Sequence, residues 1–251
     1  MMHDPIAGSP APHPRALPGP LRALKRAIPI LIGHRLAMVR RFEVSTPLIA
    51  LTFDDGPHPQ FTARLLRLLE RFKVHATFFV LGEAAAQHPA LIADLARAGH
   101  VIANHSWNHP HFPTLRGHER RKQLRACHRA TAPHGIRLFR PPWGKFDLAS
   151  SLDALRLRYT TIGWSLDVGD WWDRDSERMA ELLSRASPGD IILLHDALFA
   201  ASDEGAEPPL NPDRDSMLRA LAIFLERHAH RFRFATVPEM FRFGRPQRFS
   251  L

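Results

Sequence analysis

The chain has a single cysteine, Cys127, among its 251 residues. One cysteine cannot form an internal disulfide, so the class of small disulfide-stapled secreted proteins is excluded and nothing indicates an oxidising compartment. The flanking residues Arg125, Ala126 and His128 match no nucleophile motif. We therefore expect Cys127 to be a small apolar residue on a helix.

Long apolar runs are also missing. Near the amino terminus, the run Ile28–Ile32 is far shorter than the roughly 20 apolar residues of a membrane-spanning helix. Asp4 and several prolines precede this run and no small-residue cleavage site follows it, so the sequence predicts no secretory signal. We expect a protein of the cytoplasm, or one that lies peripherally at the inner membrane surface.

The chain has no glycine-rich nucleotide loop. No Gly-x-Gly-x-x-Gly follows the first strand-like segment, which disfavours a dinucleotide-binding sheet. The net charge of +9 is concentrated at the two ends, because residues 1–41 hold seven Lys or Arg against one Asp and residues 227–251 hold six Arg against one Glu. The body between them is close to neutral and offers no basic groove, so we expect no nucleic-acid partner.

The first 43 residues differ in composition from the rest. Residues 1–20 contain six prolines, a composition that cannot build a core. Residues 21–43 are basic and predict either a linker that packs loosely on the domain or an amphipathic segment that makes weak contact with an anionic membrane. We accordingly divide the chain into an N-terminal extension, 1–43, and a folded domain, 44–251. The oligomeric state is left open.

From Leu48 onward, strand-like and helix-like runs alternate, which predicts a parallel α/β arrangement. The predicted strands are 48–53, 75–81, 100–104, 137–140, 159–165, 190–194 and 233–237. The predicted helices are 62–72, 89–98, 117–132, 147–157, 176–186 and 214–229. Several polar residues follow the strands directly, and five converging loops favour a (β/α) barrel over an open sheet, which gathers fewer loops at its switch point.

Two adjacent carboxylates, Asp54 and Asp55, follow the first predicted strand. Gly56 and Pro57 break the strand at once, so both side chains can turn into one mouth. A solvated turn is the alternative, because Asp, Gly and Pro all favour turns. In a partly dry pocket, however, two such close carboxylates require either protonation of one or a neutralising cation.

Partners for a cation are present in His105 and His109. Among the sixteen histidines of the sequence, they are the only two that stand four residues apart, a spacing that places two imidazoles on one side of a helical turn. One Asp and two His from different elements make a facial zinc site with room for water. The combination is more specific than either half.

Three further segments, Arg140–Gly144, Asp167–Trp171 and Ile191–Asp196, follow Thr52–Pro57 and Asn104–His109 along the chain. In this order the five segments resemble the motifs of the polysaccharide deacetylase family, also called the nodulation-type deacetylase domain or carbohydrate esterase family four. The resemblance covers roughly residues 46 to 241. It implies a distorted, incomplete (β/α) barrel of about seven parallel strands and the removal of N-acetyl groups from amino sugars of a chitooligosaccharide or peptidoglycan type.

The resemblance also implies the metal site and the acid and base. Asp55, His105 and His109 would hold one divalent ion. Zinc suits two imidazoles and a carboxylate, although cobalt, nickel or manganese could substitute. Asp54 would be the general base, paired with Arg140. His195 would be the general acid, with Asp167 holding it in the charged, correctly aimed form.

Substrate contacts are expected from aromatic and apolar residues within the motifs. The backbone N–H of Trp143 would stabilise an oxyanion, the rings of Trp143 and Trp171 would form walls of the acetyl and sugar pocket, and Leu193 would form its floor. Trp164 is expected in the core. The long loop 197–216 is expected to shape more distant subsites.

Two other functions remain open at this point. The same motifs occur in relatives that remove O-acetyl esters from polysaccharides or acyl groups from non-sugar amides. A catalytically silent carbohydrate-binding module on the same barrel is the remote alternative, since a fold does not guarantee a function. The loss of Asp54 or of a ligand would favour that module, and none is lost.

Overall fold

The computed structural model describes residues 36–199 and 213–249. The expectations for residues 1–20, for most of the basic segment 21–43 and for the centre of the loop 197–216 lie outside this part of the chain. The strands are β1 (Met38–Val44), β2 (Leu48–Asp54), β3 (Thr77–Val80), β4 (Val101–Asn104), β5 (Gly135–Phe139), β6 (Thr160–Thr161), β7 (Leu166–Asp167), β8 (Ile191–His195), β9 (Arg233–Phe234) and β10 (Gly244–Phe249).

The helices lie between these strands, as the apolar periodicity predicts. They are α1 (Phe61–Arg71), α2 (Gly82–Gln87), α3 (Pro89–Arg97), α4 (Gly117–Ala130), α5 (Leu148–Arg156), α6 (Ser176–Ser184), α7 (Asp215–His228) and α8 (Val237–Phe243). Cys127 is buried on α4, as expected. Within the described ranges, no helix combines the length and the apolar character that a bilayer crossing requires.

Seven parallel strands form a curled half-barrel in the order β6-β5-β4-β3-β2-β8-β7, and the short β9 pairs with the beginning of β2. This confirms the predicted incomplete (β/α) barrel. The central strand β2 is buried at all seven positions. Its register brings Asp54 opposite Phe79 on one side and His195 on the other.

Alternation along β2 separates the two faces of the sheet. Ile49, Leu51 and Phe53 belong to the large apolar cluster that also contains buried residues of α1, α6 and α7. Leu48 and Ala50 belong to a second cluster, with residues of β1, β8 and α8. Because side chains on a strand alternate, Thr52 and Asp54 follow Leu48 and Ala50 onto this inner face. Asp54 therefore ends a buried row inside the half-barrel.

The predicted strand 159–165 is wrong as a single element. Its first part, β6, pairs with β5, whereas β7 begins only at Leu166 and pairs with β8 on the opposite edge. The chain crosses between the two edges through residues 162–165. A Cβ on Gly163 would stand 2.4 Å from the Met38 Sδ atom, so a larger residue in this crossing would require the Met38 side chain to move.

The boundary at residue 43 also needs correction, because β1 is part of the folded domain. It pairs antiparallel with β10 from Met38 to Val44, and Phe42 packs edge to face on Phe241 with ring centroids 4.9 Å apart. Single bridges connect it to Ile162 and Asp190, on either side of the half-barrel. At the other end of the domain, the predicted strand 233–237 shortens to β9, and a capping box of Thr236 and Glu239 starts α8.

Candidate active site

Asp54 and Asp55 face one mouth at the carboxyl end of β2. Asp55 adopts a left-handed backbone with φ 73°, so its side chain leaves the strand alternation. Its Oδ1 atom lies 3.4 Å from the Nε2 atom of His105 and 3.5 Å from that of His109. The Oδ2 atom of Asp54 lies 3.8 Å from the Nε2 atom of His105. The two carboxylates thus share His105, and Asp55 also reaches His109.

The two histidines converge through a loop and not through the helical turn that their spacing suggested. Ser106 and His109 both have left-handed backbones, with φ 74° and 59°. Side chains hold this loop, because Asn104 Oδ1 accepts from the Ser106 N–H at 2.8 Å and Ser106 Oγ accepts from the His109 N–H at 3.1 Å. His105 and His109 are neighbours, as their spacing predicts, but the predicted helical turn between them is wrong.

The donor atoms of Asp55, His105 and His109 lie within 4.8 Å of one another. The Oδ1 atom of Asp55 is buried with no hydrogen-bond partner among the described residues, an arrangement that is costly without a cation. The Nδ1 atom of His105 lies 2.8 Å from the Arg140 carbonyl oxygen. A carbonyl oxygen can only accept a hydrogen bond, so Nδ1 carries a hydrogen and donates it in this bond. In the neutral imidazole this contact places the lone pair on Nε2, the atom that faces the cluster. The backbone N–H of Phe199 donates to Asp55 Oδ2 at 3.1 Å. This donor set fits a divalent metal ion.

The protonation states of the cluster suit a cation. Burial lowers the pKa of His109 to about 3, so its imidazole is neutral at ordinary pH. Burial would raise the pKa of Asp55, but the neighbouring His109 and His105 lower it below its usual range. A neutral imidazole and an ionised carboxylate are the forms that bind metals.

Arg140 is fully buried and lies against Asp54. Its Nη1 atom donates to Asp54 Oδ1 at 2.7 Å and to Thr52 Oγ1 at 2.8 Å, and its Nη2 atom donates to the Gly163 carbonyl at 2.9 Å. The guanidinium also covers the ring of Phe79, 4.2 Å from the centroid. Burial lowers the pKa of Arg140, and the charge of Asp54 opposes this effect. The orientation of the Asp54 carboxylate is therefore fixed by a rigid cation.

His195 is held by Asp170 and not by Asp167, which corrects the interpretation from sequence. Asp170 Oδ1 lies 2.9 Å from His195 Nδ1, and Asp170 Oδ2 accepts from the His195 backbone N–H at 2.8 Å. Asp167 is exposed and accepts from the Gly169 N–H at 2.8 Å. Burial alone would lower the pKa of His195, but the charge and hydrogen bond of Asp170 raise it to about 9.

The choice between the two aspartates was available in the sequence. An Asp two residues before a glycine readily accepts from the glycine N–H and closes an Asx turn. Asp167 has this place before Gly169, whose φ of 70° turns the chain back and brings Asp170 inward. The aspartate that closes the turn has its acceptor capacity used locally, whereas the one after the turn is available to His195.

The predicted substrate residues border the mouth to different extents. The indole N–H of Trp143 donates to the His109 carbonyl at 3.1 Å, and its ring stacks on His111 with an interplanar angle of 3°. Leu193 is buried two residues before His195 on the same strand face. Trp171 is half-buried and meets Trp172 edge to face at 6.3 Å. Trp164 packs against the inner apolar cluster, as expected.

Asp196 is a buried site neighbour to which the sequence analysis gave no role. Its carboxylate accepts from Thr62 Oγ1 and lies directly over Gly56, where a Cβ would stand 2.1 Å from Asp196 Oδ2. Burial raises the pKa of Asp196 to about 7. Gly56 is therefore required by close packing in the turn that carries Asp55, a need that no local sequence signal reveals.

The strand ends of this curled parallel half-barrel hold an Asp-His-His cluster and an Asp-supported histidine, the layout of a hydrolase built on a (β/α) barrel. The sequence profile described as "Polysaccharide deacetylase" matches residues 43–162. The chitooligosaccharide deacetylase of Rhizobium leguminosarum bv. trifolii is 34% identical over 201 residues, which cover 76% of this chain and 90% of the relative. The chain belongs to the polysaccharide deacetylase family.

Two further comparisons agree with this membership. A peptidoglycan-N-acetylmuramic acid deacetylase of Bacillus subtilis (strain 168) is 34% identical over 183 residues, and the match covers 69% of this chain but only 38% of that longer protein. The crystal structure of the Bc1960 peptidoglycan N-acetylglucosamine deacetylase superposes with a TM-score of 0.71 at 27% identity, covering 83% of this chain and 94% of the other.

Proposed function

We propose that this protein is a metal-dependent hydrolase that removes N-acetyl groups from amino sugars within an oligosaccharide or polysaccharide of the chitooligosaccharide or peptidoglycan type. The observation that carries the proposal is the joint presence, around one mouth, of the Asp55-His105-His109 cluster, the Asp54–Arg140 pair and the His195–Asp170 pair. Family membership alone supports a polysaccharide deacetylase, without the metal ion or the roles of individual residues.

Asp55, His105 and His109 would hold the ion, and zinc is the first choice for two imidazoles and one carboxylate. Bound there, a divalent cation supplies Lewis-acid chemistry, which activates water and polarises the acetyl carbonyl. Cobalt, nickel or manganese could occupy the same mixed set of nitrogen and oxygen ligands.

Asp54 acts in this proposal as the general base. It accepts a proton from the attacking water while Arg140 keeps its carboxylate oriented. The water oxygen forms a bond to the acetyl carbon, and the backbone N–H of Trp143 stabilises the negative charge that develops on the carbonyl oxygen. The left-handed backbone of Trp143, with φ 60°, lies in the turn that directs this N–H group.

His195 acts as the general acid. The bond between the acetyl carbon and the sugar nitrogen breaks, and the departing amine collects the His195 proton, so that acetate and a free amino sugar are released. Asp170 favours the charged imidazole that this step consumes, because it raises the pKa of His195 to about 9. Trp143, Trp171 and Leu193 would enclose the acetyl group and the sugar face.

The deciding experiment measures acetate release by zinc-loaded protein from chitin oligomers of several lengths, from peptidoglycan and from acetylated xylan. We expect release from one of the first two. Release from xylan alone would establish the O-acetyl esterase instead. Sugar binding without acetate release from any substrate would establish the silent binding module.

A comparison of His195→Ala with the unchanged protein sharpens this test. An amine cannot depart from an amide without a proton, whereas an alcohol departs from an ester more readily. We therefore expect the variant to lose far more activity on N-acetylated than on O-acetylated substrates. Equal losses on both would argue against His195 as the acid.

A further inference from the structure

Arg214, the residue directly before α7, is a completely buried cation beside the His195–Asp170 pair. Its side chain and that of Asp170 are both 0% exposed. The Nη1 atom donates to the Asp170 backbone carbonyl at 2.9 Å and lies 3.4 Å from Asp170 Oδ2. The Nε and Nη2 atoms are buried without a hydrogen-bond partner among the described residues. A guanidinium so incompletely paired is costly to bury, and among the described residues the carboxylate within ion-pair distance of it is that of Asp170.

The helix α7 determines where this cation lies. The Arg214 carbonyl accepts from the Leu218 N–H at 2.9 Å, which continues the helical bonding back to residue 214. Met217, Leu218 and Leu221 are buried in the large apolar cluster. Asp215, in the first turn, forms an ion pair with Arg64 of α1. Because α7 is anchored on its apolar face, Arg214 is presented to Asp170 from a rigid element.

Asp170 connects this cation to the imidazole. Its carbonyl and its Oδ2 atom face Arg214, while its two carboxylate oxygens bind the backbone and the ring of His195. Asp170 lies in a loop, and the described contacts that orient it come from α7 on one side and β8 on the other. Among the described residues, removal of the Arg214 contact leaves the Asp170 side chain bonded only to His195, the residue that it must orient.

Arg214 and His195 are surrounded mainly by carboxylates. Burial lowers the pKa of the Arg214 guanidinium, and the carboxylates that oppose this shift are those of Asp170, Asp213, Asp55 and Asp196. His195 in turn faces Asp170, Asp55 and Asp54. Arg214 is thus a positive charge among several acids, and the nearest of these carboxylates is the one that binds His195.

We propose that Arg214 is a positioning residue for the proton-donating side of the reaction, acting on His195 through the backbone and carboxylate of Asp170. The inference rests on the proposed function, in which His195 protonates the leaving amine. It gives the start of α7, which follows the five motif segments, a part in orienting the general acid His195.

The kinetic test compares Arg214→Met, Arg214→Lys and the control Arg219→Met, which makes the same change at an exposed position of the same helix. The full-length zinc-loaded proteins are assayed on an N-acetylated sugar oligomer and on an aryl acetate, whose leaving group departs without a proton. We expect Arg214→Met to lower kcat on the amide by about 10²-fold, the cost of a small misplacement of a catalytic group, with KM nearly unchanged. The loss on the aryl acetate should be much smaller, Lys should restore part of the amide activity, and the control should match the unchanged protein.

Equal losses on the amide and the aryl acetate would overturn the inference, because a merely structural role of Arg214 damages both reactions alike. If Arg214→Met does not fold, Arg214→Gln, which is uncharged but polar, replaces it in the same comparison. Metal content and the melting temperature of each variant are measured with the kinetics.

A spectroscopic readout separates this inference from the proposed function. The proton on His195 Nδ1, hydrogen-bonded to Asp170, is assigned by proton NMR through its absence in His195→Ala. We expect this resonance in the unchanged protein and in Arg214→Lys, and its loss to solvent exchange in Arg214→Met. An unchanged resonance in Arg214→Met would overturn the positioning role whatever the substrate is, whereas an inactive wild-type protein with the expected NMR pattern would overturn only the proposed function.

Discussion

His109 and His195 are two largely buried imidazoles in the same mouth, with side chains 9% and 13% exposed, yet their acidities are shifted in opposite directions. Burial lowers the pKa of His109 to about 3. The pKa of His195 is raised to about 9, because the charge and hydrogen bond of Asp170 outweigh burial. His109 has its carboxylate at 3.5 Å and the ring of His105 at 5.0 Å, whereas His195 has a carboxylate bonded at 2.9 Å.

The difference shows how one residue type serves two tasks within a single site. A neutral imidazole offers the lone pair that a cation needs, and a charged imidazole offers the proton that a leaving group needs. The partner of each ring decides between these states, because Asp55 stands 3.5 Å from His109 and does not outweigh burial, whereas Asp170 is bonded to His195 at 2.9 Å and does. The following predictions test this division, from the largest expected effect to the smallest.

The largest effect is expected on the metal-binding side. His105→Ala and His109→Ala should each lose the bound ion and reduce acetate release to background, because two remaining ligands do not hold a divalent cation in place. Metal content by elemental analysis and acetate release measure both effects. His118→Ala, at an exposed position of α4, is the control. Full activity in protein verified to be free of metal would contradict the mechanism.

The two adjacent carboxylates should separate into two functions. Asp54→Asn should keep nearly all of the metal but lower kcat by roughly 10²–10⁴-fold, the usual cost of losing a general base. Asp55→Asn should instead weaken metal binding, measured by competition with a chelator. If Asp54→Asn loses the ion and Asp55→Asn keeps it, the assigned roles are exchanged.

On the proton-donating side, Asp170→Asn should lower the pKa of His195. The rate on an amide substrate depends on the charged imidazole, so it should fall as pH rises through about 9 in the unchanged protein. Loss of the Asp170 charge should move this fall to lower pH and reduce kcat by about 10²-fold. Asp167→Asn is the matched control, since Asp167 closes a turn, and it should leave the pH profile in place. A larger shift in Asp167→Asn would restore the interpretation from sequence.

The smallest effect is expected from the N-terminal extension. Deletion of residues 1–20 should leave folding and turnover on a short substrate intact, because so many prolines build no core. Deletion of residues 1–44 should destabilise the domain, because it removes β1. Melting temperatures and acetate release compare the two truncations. Equal stability of both would show that β1 contributes little.

The basic segment 21–43 is either a linker or an amphipathic segment that contacts an anionic membrane. The structure limits which basic residues could make the membrane contact. Arg41 lies in β1 and forms an ion pair with Asp190, so a membrane contact would depend on the other basic residues, each contributing about 1 kcal/mol at an anionic surface. These are Arg22, Lys25, Arg26, Arg35 and the exposed Arg40. Such a contact predicts sedimentation with anionic vesicles, none with neutral vesicles, and weakening as salt rises. Sedimentation with both vesicle types or with neither would establish a linker.

The sequence was sufficient for the parts of the fold and site that depend on local patterns. Apolar periodicity placed α1, α3 and α4 to within a few residues. The break after β2 correctly indicated that Asp54 and Asp55 share a mouth. Both results follow from short stretches of chain, in which each residue's neighbours are known from the sequence itself.

The features that escaped prediction depend on distant pairings. β1 and β10 stabilise each other across about 200 residues of chain, and neither is a recognisable strand without its partner. The separation of β6 from β7 depends on their pairing with two different strands, β5 and β8. The buried Arg214 meets Asp170 through the packing of α7, which no spacing of residues encodes. Asp170 is the exception among these missed features, because the turn that Asp167 forms with Gly169 depends on neighbouring residues and could have been predicted from the sequence.

The antiparallel ribbon of β1 and β10 also determines how the domain responds to force. Met38 and Phe249 are partners at one end of the ribbon, and Val44 and Gly244 are partners at the other, where both strands enter the domain. Tension applied through the two ends of the domain therefore loads the ribbon first at the Met38–Phe249 rung, and the bridges from β1 to Ile162 and Asp190 pass part of this load to the half-barrel.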